Sequence, residues 1–409
     1  MLEVVSLGEA QRLVADRFPA LSRGIETVVL DDAAGRICAE DVIAEEGVPP
    51  FDRSTVDGYA VRASDTFGCS EALPALLTLA GEVEMGVDPS CSCAEDTCVR
   101  IPTGGQVPAG ADAVVMLEYC EDYGDGTIGV AQSVAPGDNI VFENDDVRPG
   151  EVLIPAGTVM RPHHVGTMAS LGMTSCSMLE PLRVGIISTG DEIVDVSQVP
   201  VASQMRDVNA PTLAAAVRAC GALPIRFGIV PDQFEALLTT MTSALEMCDM
   251  VLVSGGSSAG AKDNTARVLG QLGELLFHGI ALKPGKPTMC ADVGGTPVFG
   301  LPGHPVAAYL VFLELVRPLL VPDAGVDDAS MASAVLTEGI PSNHGRTEFV
   351  AVRLERGADG TRAVPLRGKS GLISHLSMAD GYIAVGRNTE GLAAGEAVRV
   401  RRFATLASL

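Results

Sequence analysis

Four lysines occur in the 409 residues, Lys262, Lys283, Lys286 and Lys369, and three of them fall between Asp249 and Pro305. Two belong to Lys283-Pro-Gly-Lys286. Proline and glycine restrict and shape the backbone there, so both ammonium groups can point at one anion with little ordering cost. An exposed turn is the plainer reading of such a tetrapeptide, but the scarcity of lysine elsewhere favours a site. Upstream, the apolar run Met250 to Val253 stops at Ser254-Gly255-Gly256, whose glycines let backbone N–H groups approach an anion closely. Asp263 then opens a helical pattern, and helix N-termini stabilise negative charge. The carboxylates Glu192, Asp232 and Asp263 recur near the same strand ends. Carboxylates beside phosphate-binding backbone commonly hold Mg²⁺, which bridges to phosphate oxygens. Neither a nucleophile triad nor a Walker A glycine loop is present. The chemistry implied is capture of a phosphorylated, nucleotide-like ligand with a divalent metal.

The elements that must position these groups alternate in type from Leu182 onward. Strands are expected at Val184 to Ser188, Ile225 to Val230, Met250 to Val253, Leu275 to Leu282 and Pro297 to Gly300. Helices are expected at Asn209 to Cys220, Phe234 to Met247, Asn264 to Leu272 and, as one long apolar helix, Val306 to Leu320. This alternation predicts an open α/β sheet that binds ligands beyond the carboxyl ends of its strands. Thr189 to Glu192, Asp232 and Ser254 to Gly260 all sit at such ends. Before it, Val5 to Arg17 and Pro155 to Gly172 read as helical, and residues 75 to 135 as a small β domain. In that first half, Asp57 reads as a turn residue and Asp145-Asp146 as a solvated acidic turn. Pro322 to Ser333 reads as a linker into a closing β domain.

The chain is too long for a single core. Its formal charge of −24, from 28 basic and 52 acidic residues, comes with no basic stripe, which argues against nucleic acid and anionic membranes as partners. No spanning apolar run or signal peptide is evident, so a cytoplasmic location is expected. The ten cysteines are scattered, and Cys91, Cys93 and Cys98 read as a loop of small residues in preference to a metal site.

Taken together, the motifs resemble the molybdopterin molybdenumtransferase family, which includes bacterial MoeA and the E domain of gephyrin. They are P-P-F-D-R-S-T-V-D-G-Y-A at 49–60, R-I-P-T-G-G-Q-V-P-A-G-A-D-A-V-V at 100–115 and S-T-G-D-E at 188–192. S-G-G-S-S-A-G-x-x-D at 254–263, K-P-G-K-P at 283–287, L-P-G-H-P at 301–305, G-R-T-E-F-V at 345–350 and S-G-L-I-S-H-L at 370–376 complete the set. The resemblance implies transfer of molybdate onto the dithiolene of adenylylated molybdopterin, with Mg²⁺ dependence and release of AMP. It also implies a homodimer, with molybdopterin adenylyltransferase and recipient molybdoenzymes as protein partners.

The fold so implied is an α/β and β multidomain protein. Residues 1–45 with 138–178 form a split N-terminal domain, 46–137 an inserted β-rich domain, 179–325 an open α/β molybdopterin-binding domain, and 326–409 a C-terminal β-barrel. Matched by position, Asp57, Thr103, Asp146, Glu192, Asp232 and Asp263 take the family's functional acids and hydroxyls, with Glu192 and Asp263 on the metal. Lys283, Lys286, Arg346 and Ser370 fall at oxyanion-binding positions. The substrate-binding motifs place Ser188, Thr189, Gly190, Asp191, Ser254, Gly255, Gly256, Ser257, Pro302, Gly303 and His304. Lysine, arginine and hydroxyl donors can replace the water shell of a dianion such as molybdate.

The chain also departs from the family pattern. Ser257 stands for a valine, Asn264 for a tyrosine, His304 for an asparagine and Ala307 for a serine. A usual R-x-x-G-E-D segment is Phe142-Glu-Asn-Asp-Asp146 here, without its arginine. These changes motivate an alternative: a non-catalytic or tungstate-selective paralogue that binds the pterin nucleotide and hands it on.

Overall fold

The computed structural model describes residues 4–255, 263–321, 331–357, 360–366, 368 and 371–403. The chain divides into two compact units, Met1–Gly24 with Glu180–Leu409, and Ile25–Leu179.

The first unit is built on a six-stranded sheet. Its elements in chain order are α1 (Leu7–Arg17), β1 (Arg183–Thr189), α2 (Asn209–Ala219), β2 (Leu223–Val230), α3 (Phe234–Met247), β3 (Met250–Gly255) and α4 (Asn264–Leu272). There follow β4 (Glu274–His278), β5 (Leu282–Lys283), β6 (Met289–Val293), β7 (Thr296–Leu301) and α5 (Pro305–Val311). The sheet order is β2-β1-β3-β7-β6-β4, with β2, β1, β3 and β7 parallel and the β7-β6-β4 end antiparallel. Side chains alternate between faces, as the two-residue period of a strand requires. Met250 and Leu252 pack with α1, α2 and α5, whereas Val251 and Val253 pack with α3 and α4. A fully buried side chain such as Phe299 contributes on the order of 1.5–3 kcal/mol to this core. Ser6 caps α1 in a capping box with Glu9, and Asp263 caps α4 through Ala266 N–H. Both match the pattern that starts a helix.

Two expected elements differ. The run Leu275 to Leu282 is not one strand: β4 ends at His278, and β5 leaves the sheet to pair in parallel with Thr347–Gly357. Gly279, at φ 111°, makes the break, a conformation that suits glycine. The strand β6 was not anticipated, because its run Met289–Val293 is short and merges with the glycine turn before β7. The long apolar helix expected at Val306 to Leu320 starts at Pro305 and is α-helical to Val311. It then widens into a π-helical turn over Phe312–Val316, and resumes as Arg317–Leu320. The buried Glu314 sits within that turn.

The C-terminal strands are β8 (Met331–Leu336), β9 (Thr347–Gly357), β10 (Gly360–Pro365), β11 (Gly381–Val385) and β12 (Ala397–Arg402). Their order β9-β10-β8-β12-β11 closes because β11 also pairs with β9, giving a five-stranded barrel. Closure removes free sheet edges. One carboxylate ties the barrel to the α/β part of the unit. Glu314 accepts from Tyr382 Oη at 2.5 Å, from Gln11 Nε2 at 3.1 Å, and from Arg401.

In the second unit, Ile25–Val29 pairs with Ser175–Leu179, and the helix Pro162–Ser170 covers a core containing Met160, Met168 and Met178. Its six-stranded sheet runs Ala113–Met116, Gly58–Val61, Thr97–Ile101, Ala75–Glu82, Thr127–Val130, Cys120–Asp122. Cys98 lies in a separate core under that sheet, with Tyr59, Leu77 and Ile128, and burial pushes its thiol up to about 12. Such a thiol stays protonated and inert.

Candidate active site

Sheet register assembles the site. In the parallel pairs, Thr189 lies opposite Gly255 and Ser254 opposite Leu301. The segments Thr189–Glu192, Ser254–Gly255 and Leu301–His304 therefore lie together at the same edge of the sheet. Close approach needs glycine here. A Cβ on Gly255, whose φ is 102°, would lie 2.0 Å from the Thr189 carbonyl oxygen.

A cavity of about 600 Å³ opens at this edge. Its lining includes the acids Asp191, Glu192 and Asp232. It also includes Lys283 and Lys286, at the two ends of Pro284-Gly285, and Arg346 just before β9. Gly190, Gly255, Pro302, Gly303, His304 and Ala307 complete the lining from the sheet edge. Eleven of the residues singled out from sequence thus meet in one cavity.

Below the floor, buried polar groups fix the loops. Ser188 Oγ donates to Asp207 Oδ2 at 2.6 Å, and Asp207 Oδ1 accepts from Ala210 N–H. Asn209 Nδ2 donates to Ser254 Oγ at 2.6 Å and to the Gly303 carbonyl at 2.9 Å. Ser188 and Ser254 therefore hold the floor together and do not face the cavity. Thr189 is 1% exposed, and its Oγ1 has no hydrogen-bond partner among the described residues.

Two of the acids, Asp191 and Asp232, are linked. The backbone N–H of Asp232 donates to Asp191 Oδ1 at 3.3 Å. Asn264 Nδ2 donates to the Asp232 carbonyl at 2.9 Å and approaches its Oδ1 at 3.3 Å. Asn264 Oδ1 in turn accepts from Arg267, whose guanidinium lies over the Phe234 ring, 4.8 Å from its centroid. Asn264 thus tethers Asp232 at the rim.

Asp263 does not line the cavity. It is buried at the start of α4, with Oδ1 accepting from Ala266 N–H at 3.0 Å. Its Oδ2 has no hydrogen-bond partner among the described residues and lies 3.5 Å from His278 Nε2, an ion-pair distance. Burial raises its carboxyl above the usual range, against the lowering effects of the Ala266 N–H and His278, and the Asp232 charge adds to the rise. A buried carboxylate oxygen left open beside a second acid is the kind of hard oxygen donor that Mg²⁺ takes. The described residues contain no group of three or more His, Cys, Asp or Glu placed to bind a metal by themselves. Mg²⁺ needs no such cage, since it keeps several waters and uses one or two carboxylates with substrate phosphates.

On the cationic side, Lys283 Nζ lies 2.5 Å from Glu348 Oε1. Glu348 is buried and also accepts from Ser342 Oγ at 2.9 Å. Arg346 Nε is buried with no hydrogen-bond partner among the described residues.

The remaining predicted residues lie elsewhere. Asp57, Thr103 and Asp146 belong to the Ile25–Leu179 unit, where all three are exposed. The antiparallel pairing of Gly58 with Ile101 brings Asp57 beside Thr103. Asp57 Oδ1 accepts from Thr103 N–H at 2.7 Å and from Thr103 Oγ1 at 3.0 Å. These donors, the backbone one foremost, lower the Asp57 carboxyl below its ordinary value. Gly256, Ser257 and Ser370 lie outside the described residues.

The sequence reading missed Asp207, Asn209 and Glu348. Asn209 carried a faint signal, as a polar residue opening an alanine-rich helix, and Glu348 lay unmarked inside G-R-T-E-F-V.

Comparison with known proteins covers almost the whole chain. The description "MoeA N-terminal region (domain I and II)" matches residues 5–172, "Probable molybdopterin binding domain" residues 185–321, and "MoeA C-terminal region (domain IV)" residues 333–403. The molybdopterin molybdenumtransferase of Haemophilus influenzae is 32% identical over 98% of this chain and 99% of its own length. The chain belongs to the molybdopterin molybdenumtransferase family. Molybdopterin molybdenumtransferase 2 of Mycobacterium tuberculosis is 34% identical over 97% of this chain and 98% of that protein. A crystal structure of the molybdopterin biosynthesis MoeA protein from Pyrococcus horikoshii OT3 superposes with a TM-score of 0.86 at 32% identity, covering 98% of this chain and 100% of that one.

Proposed function

We propose that this family member transfers molybdate onto the dithiolene of molybdopterin, supplied in adenylylated form, with release of AMP. The observation that supports it most is the cavity at the glycine-bearing strand ends whose lining holds both Lys283, Lys286 and Arg346 and the acids Asp191, Glu192 and Asp232. A pterin nucleotide and an oxyanion are both anionic, and the overall charge of −24 repels them. Capture must therefore come from a local cluster of donors. Lys283, Lys286 and Arg346 supply charge-assisted hydrogen bonds that substitute for the hydration shell of the dianion. The backbone at Gly190, Gly255 and Gly303 admits the nucleotide closely, because no Cβ blocks it. Asn264 holds Asp232 at the rim, and Asp207 and Asn209 hold the floor, so binding spends little on ordering the site.

Glu192 and Asp263, with Asp232 beside them, are the residues that would hold Mg²⁺. Bound there, the ion would offset charge on phosphate oxygens. Asp57, Thr103 and Asp146 are proposed to act in the same reaction from the family motifs that contain them, as is Ser370. The four-domain division at residues 45, 137, 178 and 325, a homodimer and a cytoplasmic location complete the proposal. So do exchanges with molybdopterin adenylyltransferase and recipient molybdoenzymes. No helix among the described residues is long and apolar enough to cross a membrane.

The test is direct. Purified protein receives adenylylated molybdopterin, Mg²⁺, and molybdate and tungstate in competition. AMP release with a molybdenum-loaded pterin supports the proposal. Tight pterin-nucleotide binding without AMP release overturns it in favour of a carrier, and tungsten in the product overturns the choice of oxyanion.

A further inference from the structure

Against the cations of the cavity lies a buried carboxylate with no role assigned above. Lys283 does not stand alone in front of the ligand: its Nζ is 2.5 Å from Oε1 of Glu348, a buried carboxylate whose other oxygen is held by Ser342 Oγ at 2.9 Å. Backbone geometry enforces the pair. In the parallel register of β5 with β9, Leu282 lies opposite Thr347 and Lys283 opposite Glu348. Arg346, two residues before Glu348, lines the same cavity. One short segment of the barrel therefore contributes both a cation and the carboxylate that holds a second cation.

A free lysine side chain samples many rotamers, and fixing it on a ligand sacrifices that freedom. An ammonium group has three donors. With one committed to Glu348, the stem is already ordered and two remain for an incoming oxygen. We infer that Glu348 is a positioning residue, which holds the Lys283 ammonium in the orientation that receives the oxyanion. The inference rests on the proposed oxyanion site, and it names what sets the affinity there. The competing role is that of a plain counter-ion. Removing a negative charge beside a dianion site would by itself tighten anion binding. The two roles predict opposite signs.

The experiment uses the full chain. Only four lysines occur in the sequence, so isotope-labelled lysine gives an NMR spectrum assignable from K283R and K286R. Without ligand, the Lys283 side-chain methylene and ammonium signals are expected to be more restricted than those of Lys286, and E348Q is expected to release them. E348Q keeps the shape of the side chain and an acceptor for Ser342, and its fold is checked by circular dichroism. Molybdate and tungstate are then titrated. The expected result is roughly tenfold weaker oxyanion binding in E348Q, about the loss of one ordered charge-assisted donor. Partial recovery is expected in E348D, and a smaller loss in S342A, which removes only the second anchor.

If Lys283 is as mobile as Lys286 in the wild type, the inference fails whatever the ligand does. It also fails if E348Q binds oxyanion equally well or more tightly. If E348Q misfolds, S342A decides by the same two readouts. Wild-type protein that binds no oxyanion overturns it too. Protein that binds oxyanion through an ordered Lys283 but releases no AMP overturns only the proposed transferase activity.

Discussion

Asp263 allows charge to be separated from architecture. It caps α4 through the 3.0 Å bond from Ala266 N–H, and it sits buried with Oδ2 lacking a hydrogen-bond partner among the described residues. Asparagine and aspartate are nearly equivalent as N-caps, whereas alanine at that position costs about 1 kcal/mol. Asp263→Ala should therefore leave α4 less stable than Asp263→Asn by about that amount, which raises local amide exchange roughly fivefold relative to the asparagine variant. Asp263→Asn should keep the cap. The same substitution removes a carboxylate that burial makes costly to ionise.

The sign follows from linkage. A carboxyl whose folded value lies above its unfolded one penalises the folded state once the pH exceeds the unfolded value. That penalty is complete above the folded value. With chelator present, Asp263→Asn should be more stable than the wild type at neutral pH. The advantage should shrink as the pH falls through the folded value, and vanish below the ordinary carboxylate range. Both variants should lose Mg²⁺-dependent AMP release. The assay is hydrogen exchange across Asn264–Leu272 at neutral and acid pH, run beside the activity measurement. An asparagine variant as labile as the alanine variant would refute the cap argument. One that is no more stable than the wild type at neutral pH would refute the desolvation argument. Retained activity in Asp263→Asn would remove Asp263 from the metal site.

Three further outcomes are expected. Glu314→Gln leaves the partly exposed Arg401 without its buried counter-ion and should cost on the order of 1–3 kcal/mol, read as accelerated exchange in the barrel strands. Replacing Glu314 and Arg401 together by methionine should cost much less. Gly255→Ala places a methyl group 2.0 Å from the Thr189 carbonyl oxygen at a positive φ, and should both destabilise the unit and abolish ligand binding, measured by urea unfolding and nucleotide titration. Thr103→Val removes the hydroxyl donor but keeps the stronger backbone one. The Asp57 carboxyl should therefore move only part of the way back toward its ordinary value in an NMR titration.

Much of the candidate site was legible because strand ends in an α/β sheet are predictable positions for ligand chemistry. The runs Val184 to Ser188 and Met250 to Val253 end in glycine and polar residues, and parallel pairing alone brings such ends together. The lysine island could be read from scarcity. The helices Phe234–Met247 and Asn264–Leu272 followed from apolar spacing and an aspartate cap. The antiparallel strand Met289–Val293 escaped because so short a run, interrupted by Asp292, has no distinctive period. The break after His278 escaped because β5 owes its conformation to a partner strand more than sixty residues later.

What the sequence determined by itself was the set of groups and their local geometry: which loops carry glycine, which helices carry caps, and where the few lysines lie. Tertiary structure decided how those groups are partnered. It turned Ser188 and Ser254 inward onto Asp207 and Asn209, withdrew Asp263 from the cavity surface, and placed the buried Glu348 against Lys283. The physical reason is common to all of these. Burial forces polar groups to find partners, and partners distant in sequence become neighbours only when strand register is set.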